Sequence, residues 1–161
     1  MKILNFKIYF SFIFFSAYIL NSYSKNTIVN IGNYSLLVDV ALTEKQKKNG
    51  LMFKKKLVDT NGMLFIYKKP KKVKFWMKNT HISLAIIFID NNKKVKKIIK
   101  GKTLSDKVIT SDYPIIAVLE IPYSCLKTLN LKINDNVFWD ELFPKKINNR
   151  NINKNNLFPC L

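Results

Sequence analysis

Trp76, Lys78, Asn79, Thr80 and His81 fall within six residues, directly before the apolar run 84–90. An indole offers a flat ligand a stacking face, and the ammonium, amide, hydroxyl and imidazole beside it offer directed hydrogen bonds. That mix is what a polar-ligand pocket needs. The bland alternative puts Trp76 in the core and leaves Asn79 satisfying turn backbone. Glu120, an acid interrupting the apolar run 115–121, joins the candidate ligand contacts.

Two other chemistries can be drawn from the same region. Met52, Met63 and Met77 with His81 supply the soft donors of a copper(I) site, although methionine beside phenylalanine and tryptophan ordinarily fills core. Catalysis would need His81 as a base toward Cys125 or a serine, or a pair drawn from Asp90, Asp112, Glu120 and Asp135. No spacing supports a nucleophile and base, and acids at turns and strand ends are ordinary. The chain has no Gly-rich phosphate loop, His-Glu-x-x-His, Cys-x-x-Cys or Gly-x-Ser-x-Gly. No catalytic residue is therefore assigned and no cofactor is expected.

Charge narrows the partners less than its size suggests. The formal net charge is +18, but 27 of the 28 basic residues are lysine, and the one arginine is Arg150. Bidentate phosphate recognition favours arginine, and no helix-turn-helix, zinc-finger or RNA-binding signature accompanies the lysines. Specific nucleic-acid binding is not expected. The lysine runs 54–56, 68–72 and 93–97 read as solvated loops and strand faces.

The first residues read as a leader. Lys2 and Lys7 precede an uncharged run of thirteen residues, 8–20, and Ser22 and Ser24 place small side chains before a cut after Ser24. A bilayer span needs about twenty apolar residues, so a cleaved signal peptide is expected over residues 1–24 and no transmembrane span after it. Such a chain would be periplasmic or secreted. Residues 25–143 suit one domain, and residues 144–161 form an Asn- and Lys-rich tail. Export makes a disulfide between Cys125 and Cys160 chemically possible; two free thiols are the alternative.

Strands are predicted at 27–31, 34–42, 63–67, 73–77, 84–90, 94–100, 115–121 and 136–139, with turns at Gly32-Asn33, Asn91-Asn92 and Asn134-Asp135. Pro70 marks a break, and residues 101–114 read as irregular. Thr43 and Gln46 have capping-box spacing for a short helix ended by Gly50, and Pro122 opens a second helix through Leu129. The fold class is β-rich α+β: a small bent β-sandwich or partly open barrel with two short helices.

Gly50-Leu51-Met52-Phe53, Gly62-Met63-Leu64-Phe65, Phe75-Trp76-Met77-Lys78-Asn79-Thr80, Phe88-Ile89-Asp90 and Val118-Leu119-Glu120 occur in this order. Over residues 38–137 the chain thereby resembles the domain of unknown function 192 family (DUF-192). The resemblance implies a compact β-rich domain, often exported in bacteria, with no established activity. Two positions depart from the family pattern: Ala85 stands where an aspartate is common, and Asn134-Asp135 where Gly-Asp is usual. A catalytic role for that missing carboxylate would leave this chain inactive.

The sequence thus points to an exported, monomeric binding or accessory module of the cell envelope, its partner a polar small molecule or envelope component. Mass spectrometry of envelope fractions should find the mature amino terminus at Lys25 or within a few residues of it. An intact Met1 peptide in most of the material would show a retained anchor instead.

Overall fold

The computed structural model describes residues 25–139. The leader, the tail and Cys160, with any bridge that it makes, lie outside the described residues. Nine strands and two helices are present among them: β1 Lys25–Ile31, β2 Tyr34–Ala41, α1 Glu44–Asn49, β3 Met63–Lys71, β4 Lys74–Phe75, β5 Leu84–Ile89, β6 Val95–Gly101, β7 Ile109–Thr110, β8 Ile115–Pro122, α2 Tyr123–Leu129 and β9 Val137–Trp139. None of the described helices is long and apolar enough to cross a membrane.

Seven strands form one sheet in the order β6-β5-β8-β3-β2-β1-β9, and β4 pairs with β7 as a separate two-stranded ribbon. The large sheet curls into a half-barrel, so the expected β-rich α+β class holds. Its two edges meet at one end. The segment leading into β9 bridges Lys94 through Asn136, and Val95 exchanges backbone hydrogen bonds with Asn134 and Asp135 at 2.8 and 2.9 Å. The barrel is partly open, drawn together where β6 begins.

Strand β8 lies inside the sheet, antiparallel to β3 on one side and to β5 on the other. Alternation along it splits the core in two. Ala117, Leu119 and Ile121 join the larger cluster, with Val29, Val38, Ala85, Ile87 and the α2 residues Cys125 and Leu129. Val118 joins the other cluster, with Leu51, Phe65, Phe75, Met77 and Phe88. Burying both faces of a central strand removes apolar area at about 25 cal/mol per Å², and is the main reason that this sheet is stable.

The predicted elements are corrected in three places. Pro70 does not break β3, which runs on to Lys71; the β3–β8 register shifts between Ile66 and Lys71, and a bulge tolerates a residue without an N–H. The strand expected at 73–77 keeps only Lys74 and Phe75, because its one ladder partner is the two-residue β7. That partner lies inside the stretch read as irregular.

Gly62 sets the approach of β3 to β8. A Cβ there would lie 2.0 Å from the backbone oxygen of Glu120, so no larger residue fits without moving β8. At Gly32, by contrast, nothing lies within 4 Å, and φ of +55° is the only constraint. Gly62→Ala should therefore cost about 3 kcal/mol or more through overpacking, and Gly32→Ala about 1–2 kcal/mol through backbone strain. Urea midpoints check this: equal losses would mean that β3 and β8 do not approach as described.

Candidate functional site

Glu120 lies opposite Met63 of β3 and Ile86 of β5, one alternation beyond Val118. Its side chain therefore points away from the larger core cluster. It is 4% exposed. Among the described residues no hydrogen-bond donor and no cation at ion-pair distance meets its carboxyl, and burial alone pushes that group up to about 8. A carboxyl so placed is mostly protonated at neutral pH, able to donate one hydrogen bond and to accept others.

Above it lies a cavity of about 310 Å³ with Glu120 in its floor. The opening exists because of how α1 ends. Thr43 caps the helix: its hydroxyl accepts from the Gln46 N–H at 3.2 Å, while the Gln46 side chain accepts from the Thr43 N–H at 2.9 Å. After the six residues of the helix the chain leaves through Gly50 at φ +47°. A Cβ on Gly50 would come within 3.2 Å of the Phe65 ring and 3.9 Å of the Glu120 carboxylate oxygen Oε2. A glycine here leaves room over the acid.

Aromatic rings form the walls. Phe75 meets Phe65 edge to face at 5.1 Å between centroids and Phe88 at 6.1 Å, which fixes β4 against the sheet. Trp76 follows Phe75 at the cavity edge, 44% exposed. Tyr67 contributes a buried ring over which the Lys47 and Lys71 ammonium groups stand at 4.6 and 4.9 Å from the centroid. Burial first, then the acids Glu44 and Glu120, raise its phenol well above the usual range. Glu44 at the mouth is paired with Lys47 at 3.2 Å, which lowers its carboxyl.

Of the six ligand contacts expected from sequence, Trp76, Thr80 and Glu120 line the cavity; Lys78, Asn79 and His81 do not. Asn79 takes φ +55° in the turn, and its carbonyl accepts from the Phe53 N–H at 2.7 Å. Thr80 is buried, its hydroxyl donating to the Lys78 carbonyl at 3.3 Å. His81 is exposed. Met52 lines the cavity, Met63 and Met77 are buried in the second core cluster, and Met77 packs against Gly101. Among the described residues no three His, Cys, Asp or Glu side chains gather to hold a metal.

The other acids are occupied. Asp90 accepts the Asn92 and Lys94 N–H groups of its turn at 2.9 Å, Asp112 pairs with Lys97 and Thr110, and Asp135 accepts from the Lys132 N–H at 2.8 Å. Cys125 is buried in the larger core cluster. Ala85 faces that same cluster, so a carboxylate at its position would point away from the cavity. Asn134 takes φ +71°, the backbone that makes glycine usual there. Sequence reasoning missed Tyr67, Lys47, Lys71, Lys72 and Lys74, all of which line the cavity. The capping box at Thr43 and the glycine at position 50 were the available pointers, since together they fix where α1 starts and ends.

Two solved structures share the fold. A proposed transcription regulator from Sinorhizobium meliloti is 26% identical, with a TM-score of 0.68 over 72% of this chain and 95% of that one. A protein of unknown function from Novosphingobium aromaticivorans is 31% identical, with a TM-score of 0.63 over 71% and 84%. No curated protein matches the chain in sequence. The DUF192 family model, described as Uncharacterized ACR, matches residues 27–139, so the chain belongs to the DUF192 family.

Proposed function

We propose that this protein is an exported binding module that holds a small polar ligand in the cavity over Glu120. The observation that carries the reading is the buried, unpartnered carboxyl in a cavity floor. The Glu120 carboxyl meets no protein hydrogen-bond donor among the described residues and faces the cavity, where a ligand hydroxyl or amide would supply one. Trp76 adds a stacking face at the edge. Binding is favoured over catalysis because, among the described residues, the cavity lining supplies no histidine, no cysteine and no second unpaired acid beside Glu120. The leader motivates the exported location, and the excess of lysine opposes self-association.

The chain has two tryptophans, so a Trp139→Phe background makes Trp76 the sole indole reporter. Millimolar monosaccharides, amino acids, nucleosides and dicarboxylates are then titrated against Trp76 fluorescence. At least one class should shift the emission, and Glu120→Gln should weaken it about tenfold, because an amide N–H is a weaker donor than a carboxylic acid O–H. Binding that Glu120→Gln leaves untouched would sink the assignment of the floor.

Stability tests the burial itself. Unfolded, the Glu120 carboxyl titrates near 4.5; folded, near 8. Between these values the folded state holds the extra proton. Its contribution to stability is thus full below pH 4.5 and falls as pH rises toward 8, by up to about 1.4 kcal/mol per pH unit. Glu120→Gln should flatten that slope in urea unfolding between pH 5 and 8. An unchanged slope would mean that the carboxyl is solvated in the folded protein.

A further inference from the structure

We propose that the ligand is an acidic sugar of one ring, a hydroxylated ring carrying a carboxylate or phosphate group. This rests on the binding reading above and adds a polarity to it. Lys47, Lys48, Lys71, Lys72 and Lys74 all line the cavity, against Glu44 as the one acid besides Glu120. Glu44 is already matched by Lys47. An anion is drawn to such a mouth and a cation repelled from it.

The floor has the opposite requirement. None of those lysines reaches Glu120 to form an ion pair, so the acid and the cations act on different ends of whatever enters. An anionic end at the floor would meet a buried acid and find no cation there, among the described residues, to offset it. A hydroxyl suits it in either protonation state, donating to a carboxylate or accepting from a carboxylic acid. The ligand therefore carries charge at its outer end and neutral hydroxyls at its inner end.

Between the ends stand Phe65, Phe75 and Trp76, whose faces and edges suit the C–H face of a saturated ring. The volume, about 310 Å³, is at the small end of ligand sites and fits one ring with its substituent rather than a nucleotide or an oligosaccharide. Tyr67 has a further part in this scheme. By holding Lys47 and Lys71 over its ring, it places two ammonium groups before the ligand arrives, which lowers the ordering cost of binding.

Trp76 emission in the Trp139→Phe background is titrated at constant ionic strength with glucuronate, glucose 6-phosphate, glucose and inorganic phosphate. The proposal expects glucuronate, glucose 6-phosphate or both to bind at least about tenfold more tightly than glucose and than phosphate. Which of the two binds decides between a uronic acid and a sugar phosphate. The Lys71→Ala/Lys72→Ala double variant, on exposed side chains, should bring the acidic sugars down to the affinity of glucose. Glu120→Gln should weaken acidic sugars and glucose alike.

Glucose binding as tightly as glucuronate would overturn the acidic class while keeping the cavity reading. Phosphate binding as tightly as glucose 6-phosphate, insensitive to Glu120→Gln, would reduce the mouth to an unspecific lysine patch and overturn the proposal. Silence from all four probes, with a Glu120-dependent response to another compound class, would overturn the sugar and leave the binding module standing. If no compound class responds, the binding module itself falls.

Discussion

A strand covered on both faces offers little water to a charge, and β8 is so covered apart from the cavity over Glu120. Every neighbour of Glu120 answers to that constraint. The sheet presses β3 and β5 against its backbone, and Gly62 permits the closest of those approaches. Among the described residues no lysine or backbone N–H reaches the carboxyl, so what keeps it tolerable is protonation and the space above it. That space is made by Gly50, at the end of a helix six residues long that is held by one capping box. A cavity here is the geometric remainder of how an acid is buried.

The strings that carry the family resemblance converge on this arrangement. Gly50-Leu51-Met52 form part of the cavity lining, Gly62 to Phe65 set the strand spacing and one wall, Phe75-Trp76 give the other wall, and Glu120 closes the floor. Phe88 stands behind Phe75 and fixes its tilt. The lysines belong to a separate layer of the design. They lie at the rim, two of them registered over Tyr67, where they change the field without touching the acid.

Sequence periodicity was enough for the larger strands, because β1, β2, β5 and β8 carry mostly apolar or alternating patterns bounded by turn residues. It failed where long-range pairing overrides local preference. β7 exists only as a partner of β4, and Pro70 is tolerated only because the ladder is already irregular there. Within the site, Trp76 was legible from its neighbours, and Glu120 from its oddity in an apolar run. Lys78, Asn79 and His81 looked equally suitable, but the left-handed turn at Asn79 spends its residues on backbone contacts and solvent. Tyr67 and Lys71 were illegible because their role depends on a strand running past a proline.

The joining of the two sheet edges has a consequence for how the chain acquires its shape. β1, the first strand described, pairs along one side with β9, the last, and the residues just before β9 hold the start of β6. Neither edge can be satisfied until residues 134–139 are available. Contacts so distant in sequence make folding slow, because loop-closure entropy is lost before they form. A chain emerging from a ribosome or a membrane pore amino-terminus first would hold β1 and β6 as open edges until its last strand arrived. The short β9 is thus a latch on the order of events: both edges of the sheet stay open until residues 134–139 have been made, and close only then.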